Sequence, residues 1–323
     1  RKVIADTTSR GGAIFGGRIA RSNVEIRPFV HAQIGGGAEI DALYDFEISA
    51  RSNNILDLDA TTKLIGLAGV SKAFAHADVW ISTRAETLPS TVQSTIVAGG
   101  DIDFDSQSIL TADAYSKAKA PTPLAFRKAS SIINTHQLDT VSIAHSVDLN
   151  ATNDLTVYAE KIKNAVATAV VTLGSSTALV NDISILTAAS IHGSSPYTWG
   201  NTLLINSDDP IISKAKAIIL DDTRVSKSDF ESLLKQGHIN AVSSINTNAL
   251  VFAQLDSDIE PTSGKQIKVI AKLRKLKTDA IAKFKTKRKG NFDVQTSENL
   301  NLTVIADFPF VKTIKKTFTE SPD

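Results

Sequence analysis

The 323-residue chain contains no cysteine and no methionine. The first absence excludes a disulfide framework, thiolate catalysis and any cysteine-ligated metal. Freedom from both sulfur residues suits a durable protein in an oxidising exterior. A chain that starts at Arg1 without methionine reads as a processed or excerpted piece of a longer product, and no signal peptide is visible. No run of 18 apolar residues occurs, so no helical membrane span is expected. Several motifs are missing too. There is no G-x-S-x-G, no H-E-x-x-H, no C-x-x-C and no G-x-x-x-x-G-K-[ST]. A nucleophile elbow, a zinc protease helix and a phosphate loop are therefore not expected.

A hydrophobic content of 42% allows a sizeable core, and a formal charge of +1 argues against a uniformly basic nucleic-acid binder. That near-neutral total hides a segregation. Residues 265–289 carry eleven Lys/Arg against one Asp, residues 1–264 carry 21 basic and 28 acidic side chains, and residues 290–323 carry three and five. A basic segment near one end faces an acidic body. Such a segment is either a solvated strand or helix face, or an electrostatic docking surface for an anionic partner or another copy of the chain.

The chain repeats itself. Ile40–Ala50 (I-D-A-L-Y-D-F-E-I-S-A) aligns without gaps with Ile96–Ser106 (I-V-A-G-G-D-I-D-F-D-S) after a shift of 56, and with Leu149–Ala159 (L-N-A-T-N-D-L-T-V-Y-A) after a further 53. The columns hold Ile40, Ile96 and Leu149, then Ala42, Ala98 and Ala151. A two-residue turn follows, then Asp45, Asp101 and Asp154. A weaker copy reads S-I-H-G, an insertion S-S-P-Y-T-W-G-N, then T-L-L-I-N-S. Another runs from Phe292 to Ala306.

Within each copy apolar and polar residues alternate, which is the period of a strand. Ala-rich alternating stretches at Lys72–Ile81 and Asn164–Leu173 suit two sheet layers in a narrow core. Turn signals stand at Gly35-Gly36-Gly37, Asn53-Asn54, Gly174-Ser175-Ser176 and Asp208-Asp209-Pro210. Short strands and a repeat of 53–56 residues, each unit long enough for two or more coils, predict an all-β chain, a parallel β-helix or β-solenoid. The rival is an array of β-sandwich domains, whose repeats would run to ~90–100 residues. The expected organisation is solenoid coils over 1–220, an irregular connector over 221–264 and a basic strand segment with terminal coils over 265–323. The connector holds one short helix at about 228–236, with Ser228 and Glu231 as its capping box and Gly237 at its C′ position. The basic run K-Q-I-K-V-I-A-K-L-R-K-L-K fits either a strand or an amphipathic helix, and the surrounding repeats favour strand.

At I-V-A-G-G-D-I-D-F-D-S the chain resembles the filamentous-haemagglutinin-like and other large β-strand-repeat surface proteins of bacteria. The resemblance covers residue 38 to about residue 189. It implies a secreted, extended fibre serving adhesion, motility or cell-surface architecture. The basic segment, short helix and irregular second half depart from that pattern and fit a discrete subunit with distinct ends.

The candidate site residues follow from these patterns. The column Asp45, Asp101, Asp154 directly follows a turn, where carboxylates bond turn N–H groups, so a structural ladder is expected. Asp101, Asp103 and Asp105 put three carboxylates on one strand face, the best candidate for calcium; otherwise no cofactor is expected. Tyr197 and Trp199, in the insertion, are candidates for stacking on a sugar. Lys268, Lys272, Arg274, Lys275, Lys285, Lys287 and Arg288 are candidates for contact with an anionic partner or another subunit. The expected function is a non-enzymatic, self-assembling extracellular or cell-surface filament. Its partners would be copies of itself and an anionic polysaccharide or cell surface, without nucleic acid or a transmembrane segment. A glycan-binding adhesin segment and a β-helix polysaccharide lyase or hydrolase are the alternatives.

Overall fold

The computed structural model describes residues 1–12, 15–65, 68–120, 124–192, 197–222, 224–256, 265–288, 292–308 and 311–320. They form six stacked coils of a parallel β-solenoid. Coil 1 holds β1 (Lys2–Gly12), β2 (Phe15–Ile26), β3 (Phe29–Ile34) and β4 (Glu39–Ala42). Coil 2 holds β5 (Phe46–Ile65), β6 (Ala68–Thr87) and β7 (Ser94–Ala98). Coil 3 holds β8 (Ile102–Lys119), β9 (Leu124–Ile143) and β10 (Val147–Ala151). Coil 4 holds β11 (Leu155–Thr172), β12 (Ser175–His192) and β13 (Tyr197–Thr198). Coil 5 holds β14 (Thr202–Asp208), β15 (Ile211–Leu220), helix α1 (Lys227–Lys235) and β16 (Asn240–Asp256). Coil 6 holds β17 (Gln266–Lys272), β18 (Lys277–Lys285) and β19 (Asp293–Phe308), after which β20 (Val311–Glu320) turns back antiparallel along β19.

The coils build three faces. A first long face runs β1-β5-β8-β11, then through β14 with β15 to β17 with β18. A second long face runs β2 with β3, then β6-β9-β12-β16-β19. A short face is formed by β4, β7, β10 and β13. One repeat is one coil, not two or more, because the long strands reach 18–20 residues where short ones were expected. At ~3.3 Å per residue each such strand spans ~60 Å, so a coil is wide and flat. Asn53-Asn54, expected as a turn, lies inside β5.

The repeat columns give the pairing register. Ile40 pairs Ile96 and Leu149 pairs Ile96; Phe46 pairs Ile102 and Leu155 pairs Ile102. The fourth copy departs from expectation. Y-T-W-G-N is no insertion but the coil itself, with Tyr197 opposite Leu149 and Leu203 opposite Leu155. The weak copy at Phe292–Ala306 belongs to the second long face, where Asp293 pairs Asn240. The basic segment supplies the last rung of the first face, as strands. The connector expected over 221–264 shrinks as well, since Asn240–Asp256 is a full strand.

Helix α1 fills the corner between β15 and β16. Its N-cap is Ser226 rather than Ser228: the Ser226 hydroxyl accepts from the Asp229 N–H at 3.1 Å and donates to the Asp229 carboxylate at 2.6 Å. It ends in a Schellman turn. Gly237 N–H donates to Leu234 O, His238 N–H donates to Leu233 O, and Gly237 takes φ +68°, which favours glycine. Phe230 seals the helix onto Phe284 and Phe292.

The interior is split. One cluster is rich in alanine, among them Ala73, Ala75, Ala77, Ala165, Ala167 and Ala169, and lies where the two long faces approach closely. The other, beside the short face, is built of larger side chains such as Phe104, Ile96, Leu149 and Val157. A buried polar belt separates them, containing Ser108, Asp139, Lys161, Lys163, Asp182 and Asp209.

Candidate functional site

Coils 1, 2 and 3 each turn from the short face into the first long face of the next coil at an aspartate. Asp45 Oδ1 accepts from the Asp101 N–H at 2.9 Å, Asp101 Oδ1 from the Asp154 N–H at 3.0 Å, and Asp154 Oδ1 from the Thr202 N–H at 2.8 Å. The carboxylates thus bond the next coil rather than their own turn. Gly100 keeps this corner open, since a Cβ there would sit 2.0 Å from Asp45 Oδ1. Asp101→Ala removes the acceptor for the Asp154 N–H. The expected loss is about 1–3 kcal/mol, with a smaller loss for Asp101→Asn, read from urea denaturation midpoints.

A second ladder was not read from the sequence. On the second long face Asn134 donates to Asp78 at 2.8 Å, Asn181 to Asn134 at 2.9 Å, Asn246 to Asn181 at 2.8 Å and Asn299 to Asn246 at 2.8 Å. It runs through five coils. Its spacings in the chain are 56, 47, 65 and 53 residues, so no constant shift reveals it.

Below the aspartate corner, the outward side chains of the first long face line a groove of about 730 Å³ that crosses coils 2–6. In register order its rows are Glu47, Asp103, Thr156 and Leu204, then Ser49, Asp105, Tyr158 and Asn206, then Arg51, Gln107, Glu160 and Asp208. Arg274, in the link between β17 and β18, reaches back over the last row. Its Nε donates to Asp208 at 2.6 Å, and a guanidinium nitrogen lies 3.4 Å from Glu160. At the other end Arg51 bonds Asp105 at 2.8 Å and Glu47 at 3.0 Å. Gln107 donates to Glu160 at 2.6 Å.

Burial pushes the Asp103 carboxyl up, opposed by a hydrogen bond from Thr156 and reinforced by the charges of Asp101, Glu47 and Asp45. Burial, then the charges of Glu160 and Asp208, also push the Tyr158 hydroxyl up, so it stays a proton donor through the neutral range. Hydrogen bonding to Asp105 raises Arg51, and hydrogen bonding to Asp208 raises Arg274. The groove is therefore polar, and its main charges neutralise each other in place.

The three aspartates nominated for calcium do not converge. Asp101 is bonded to the next coil, Asp105 takes Arg51 and Ser49, and Asp103 takes Thr156. Asp101 and Asp105, four residues apart along the chain, stand ~13 Å apart at the backbone, beyond the reach of two aspartates to one calcium ion. Among the described residues no group of three His, Cys, Asp or Glu could hold a metal.

Tyr197 and Trp199 cannot stack on a sugar, because they are 6% and 3% exposed and belong to the core. They occupy the inward columns filled by Leu149 and Ala151 one coil earlier. Of the seven basic residues, Arg274 and Arg288 are engaged within the chain. Arg288 lies over the Phe230 ring, pairs with Asp221 at 3.2 Å and donates to Val225 O at 2.7 Å, holding the turn into α1. Lys268, Lys272, Lys275, Lys285 and Lys287 are exposed and form no ion pair among the described residues.

The class is that of all-β parallel solenoids. Comparison of the chain with protein-family models, curated proteins and solved structures finds no match. Among the described residues no helix is long and apolar enough to cross a membrane.

Proposed function

We propose that this chain is a non-enzymatic structural protein, a self-associating β-solenoid unit of an extracellular or cell-surface filament. The observation that carries this reading is that, among the described residues, the first long face ends in an unpaired strand edge at both ends of the stack. At the last coil, β20 runs antiparallel on β19 and closes the second long face alone, while β17 and β18 of the first long face are hydrogen-bonded on one side only among the described residues. At the first coil, β1 to β4 are hydrogen-bonded on one side only among the described residues, and they keep the alternation of the coils stacked on them. The β17 and β18 edge of a second copy adds to the β1 edge by the parallel pairing that already joins coil to coil on the first long face. The side-chain ladders explain why such stacking holds register. The exposed lysines of the last rung give the unit an electrostatic polarity against its acidic body.

Electron microscopy of the purified chain tests this. Filaments are expected, with an axial repeat near ~29 Å for six coils at ~4.8 Å. Isolated particles of single-chain size at all concentrations would overturn the proposal. Raising salt to ~0.5 M is expected to loosen the filaments, because exposed charge contacts are screened; salt-indifferent filaments would remove the charged contact from it.

A further inference from the structure

The second long face carries a cavity of about 500 Å³ that crosses coils 1–4. Its grid follows from the register. One column runs Arg27, Trp80, His136 and Ser184; the next runs Phe29, Ser82, Leu138 and Leu186; Arg84 stands beside Ser82 in the third. Two irregularities bend the sheet at this point. Pro28 separates β2 from β3, and β12 bulges between Asp182 and Ser184. Bulges re-aim side chains and recur beside binding sites.

Three features define what the cavity can take. Its aromatic wall is rigid, for Trp80 is stacked on His136 (centroids 3.6 Å apart, planes at 7°) with the Arg27 guanidinium 5.5 Å from its ring centre. Phe29, 62% exposed, and Leu138 and Leu186 add apolar surface along the stacking direction. Two polar groups stand there without partners, the buried Oγ of Ser82 and the buried Nε–H of Arg84. No carboxylate lines the cavity, and Arg84 has no ion pair among the described residues. An orphaned guanidinium N–H in an apolar setting calls for an anionic acceptor.

We propose that this cavity binds a carboxylated sugar within an acidic polysaccharide. The Arg84 guanidinium receives the carboxylate, Ser82 bonds a ring hydroxyl, and the apolar ring face lies on Phe29 and Leu138. The column from Phe29 to Leu186 spans four coils, ~14 Å, so an extended chain of sugars lies along the stack rather than a single compact acid. The site does not depend on filament formation.

The test uses the whole chain with tetragalacturonate, a neutral cello-oligosaccharide of the same length and benzoate, read by calorimetry and tryptophan fluorescence. The chain has two tryptophans. Trp80 is 43% exposed while Trp199 is buried, so a ligand-induced change reports on the cavity. Tetragalacturonate is expected to bind and to weaken as salt rises, with the neutral oligomer and benzoate at least tenfold weaker. Arg84→Gln is expected to weaken binding at least tenfold with an unchanged melting temperature. Phe29→Ala, at an exposed position, is expected to weaken it several-fold and serves if Arg84→Gln fails to fold. No binding at millimolar tetragalacturonate, equal binding of the neutral oligomer or of benzoate, or affinity unmoved by a folded Arg84→Gln, or by Phe29→Ala where that variant does not fold, would overturn the assignment. In each of those cases the cavity holds water alone or an unselective ligand.

Discussion

Lys163→Met is expected to cost about 3–5 kcal/mol of folding stability, measured as a lower denaturant midpoint. The Lys163 side chain is fully enclosed between the two long faces. Its ammonium pairs with Asp182 and donates to Ser213 Oγ at 2.9 Å. Asp182 also accepts from Thr135 Oγ1 at 2.5 Å and from Thr247 Oγ1 at 2.9 Å. One carboxylate therefore ties together coils 3, 4 and 5. Burial pulls the Lys163 ammonium down, and the charge of Asp182 holds it up. Removing the cation leaves a carboxylate in the core with two hydroxyl donors and no counter-charge. The double variant Lys163→Met with Asp182→Leu is expected to recover part of the loss, since it leaves no unpaired carboxylate at this position. Recovery stays incomplete because the hydroxyls of Thr135, Thr247 and Ser213 lose their partner. A single variant within ~1 kcal/mol of wild type would mean that water reaches this belt and solvates the carboxylate.

The reach of the sequence can be traced residue by residue. Gap-free columns such as Ile40, Ile96 and Leu149 gave true rung-to-rung register, because coils 2 and 3 keep nearly equal lengths and side chains at one column must fill one layer of core. The columns fail at coil 4, where the shift drops to 48 and Tyr197 replaces an aliphatic residue. They fail again at coil 5, where α1 lengthens the coil so that Leu203 pairs Ile267, 64 residues on. The polar belt was illegible for a different reason. Lys161, Lys163, Asp139 and Asp182 occupy inward positions, whereas alternation alone treats a charged residue as solvent-facing. The same habit made Tyr197 and Trp199 read as exposed platforms in an insertion. The cavity beside Trp80 escaped because it is assembled from four coils and a bulge, with no local motif.

Folding stability is expected to fall as pH rises from about 4 to about 7, and the group responsible is Asp139. It is fully buried on the second long face. Its Oδ2 accepts from Ser108 Oγ at 2.6 Å, and its Oδ1 has no partner. Burial pushes its carboxyl up to about 7, against the hydrogen bonds of Ser108 and Thr83 and the charge of Lys161, while the charge of Asp209 adds to the rise. Across that interval the folded chain keeps a proton that the unfolded chain has released, so each step up in pH favours unfolding. At ~1.4 kcal/mol per unit the loss approaches about 4 kcal/mol by pH 7 and then levels off. Asp209, Asp113 and Asp103 are also pushed up, chiefly by burial, and add to the slope in the same direction. Asp139→Asn keeps the shape and an acceptor oxygen for Ser108 without an ionisable proton. Its stability profile is expected to be flatter than that of the wild type, equal to it near about pH 4 and above it at about pH 8. Denaturant midpoints at these two pH values decide the matter. If wild type and Asp139→Asn keep the same slope, Asp139 is ionised in the folded chain, and the nearby Lys161 ammonium stabilises its charge more strongly than burial opposes it.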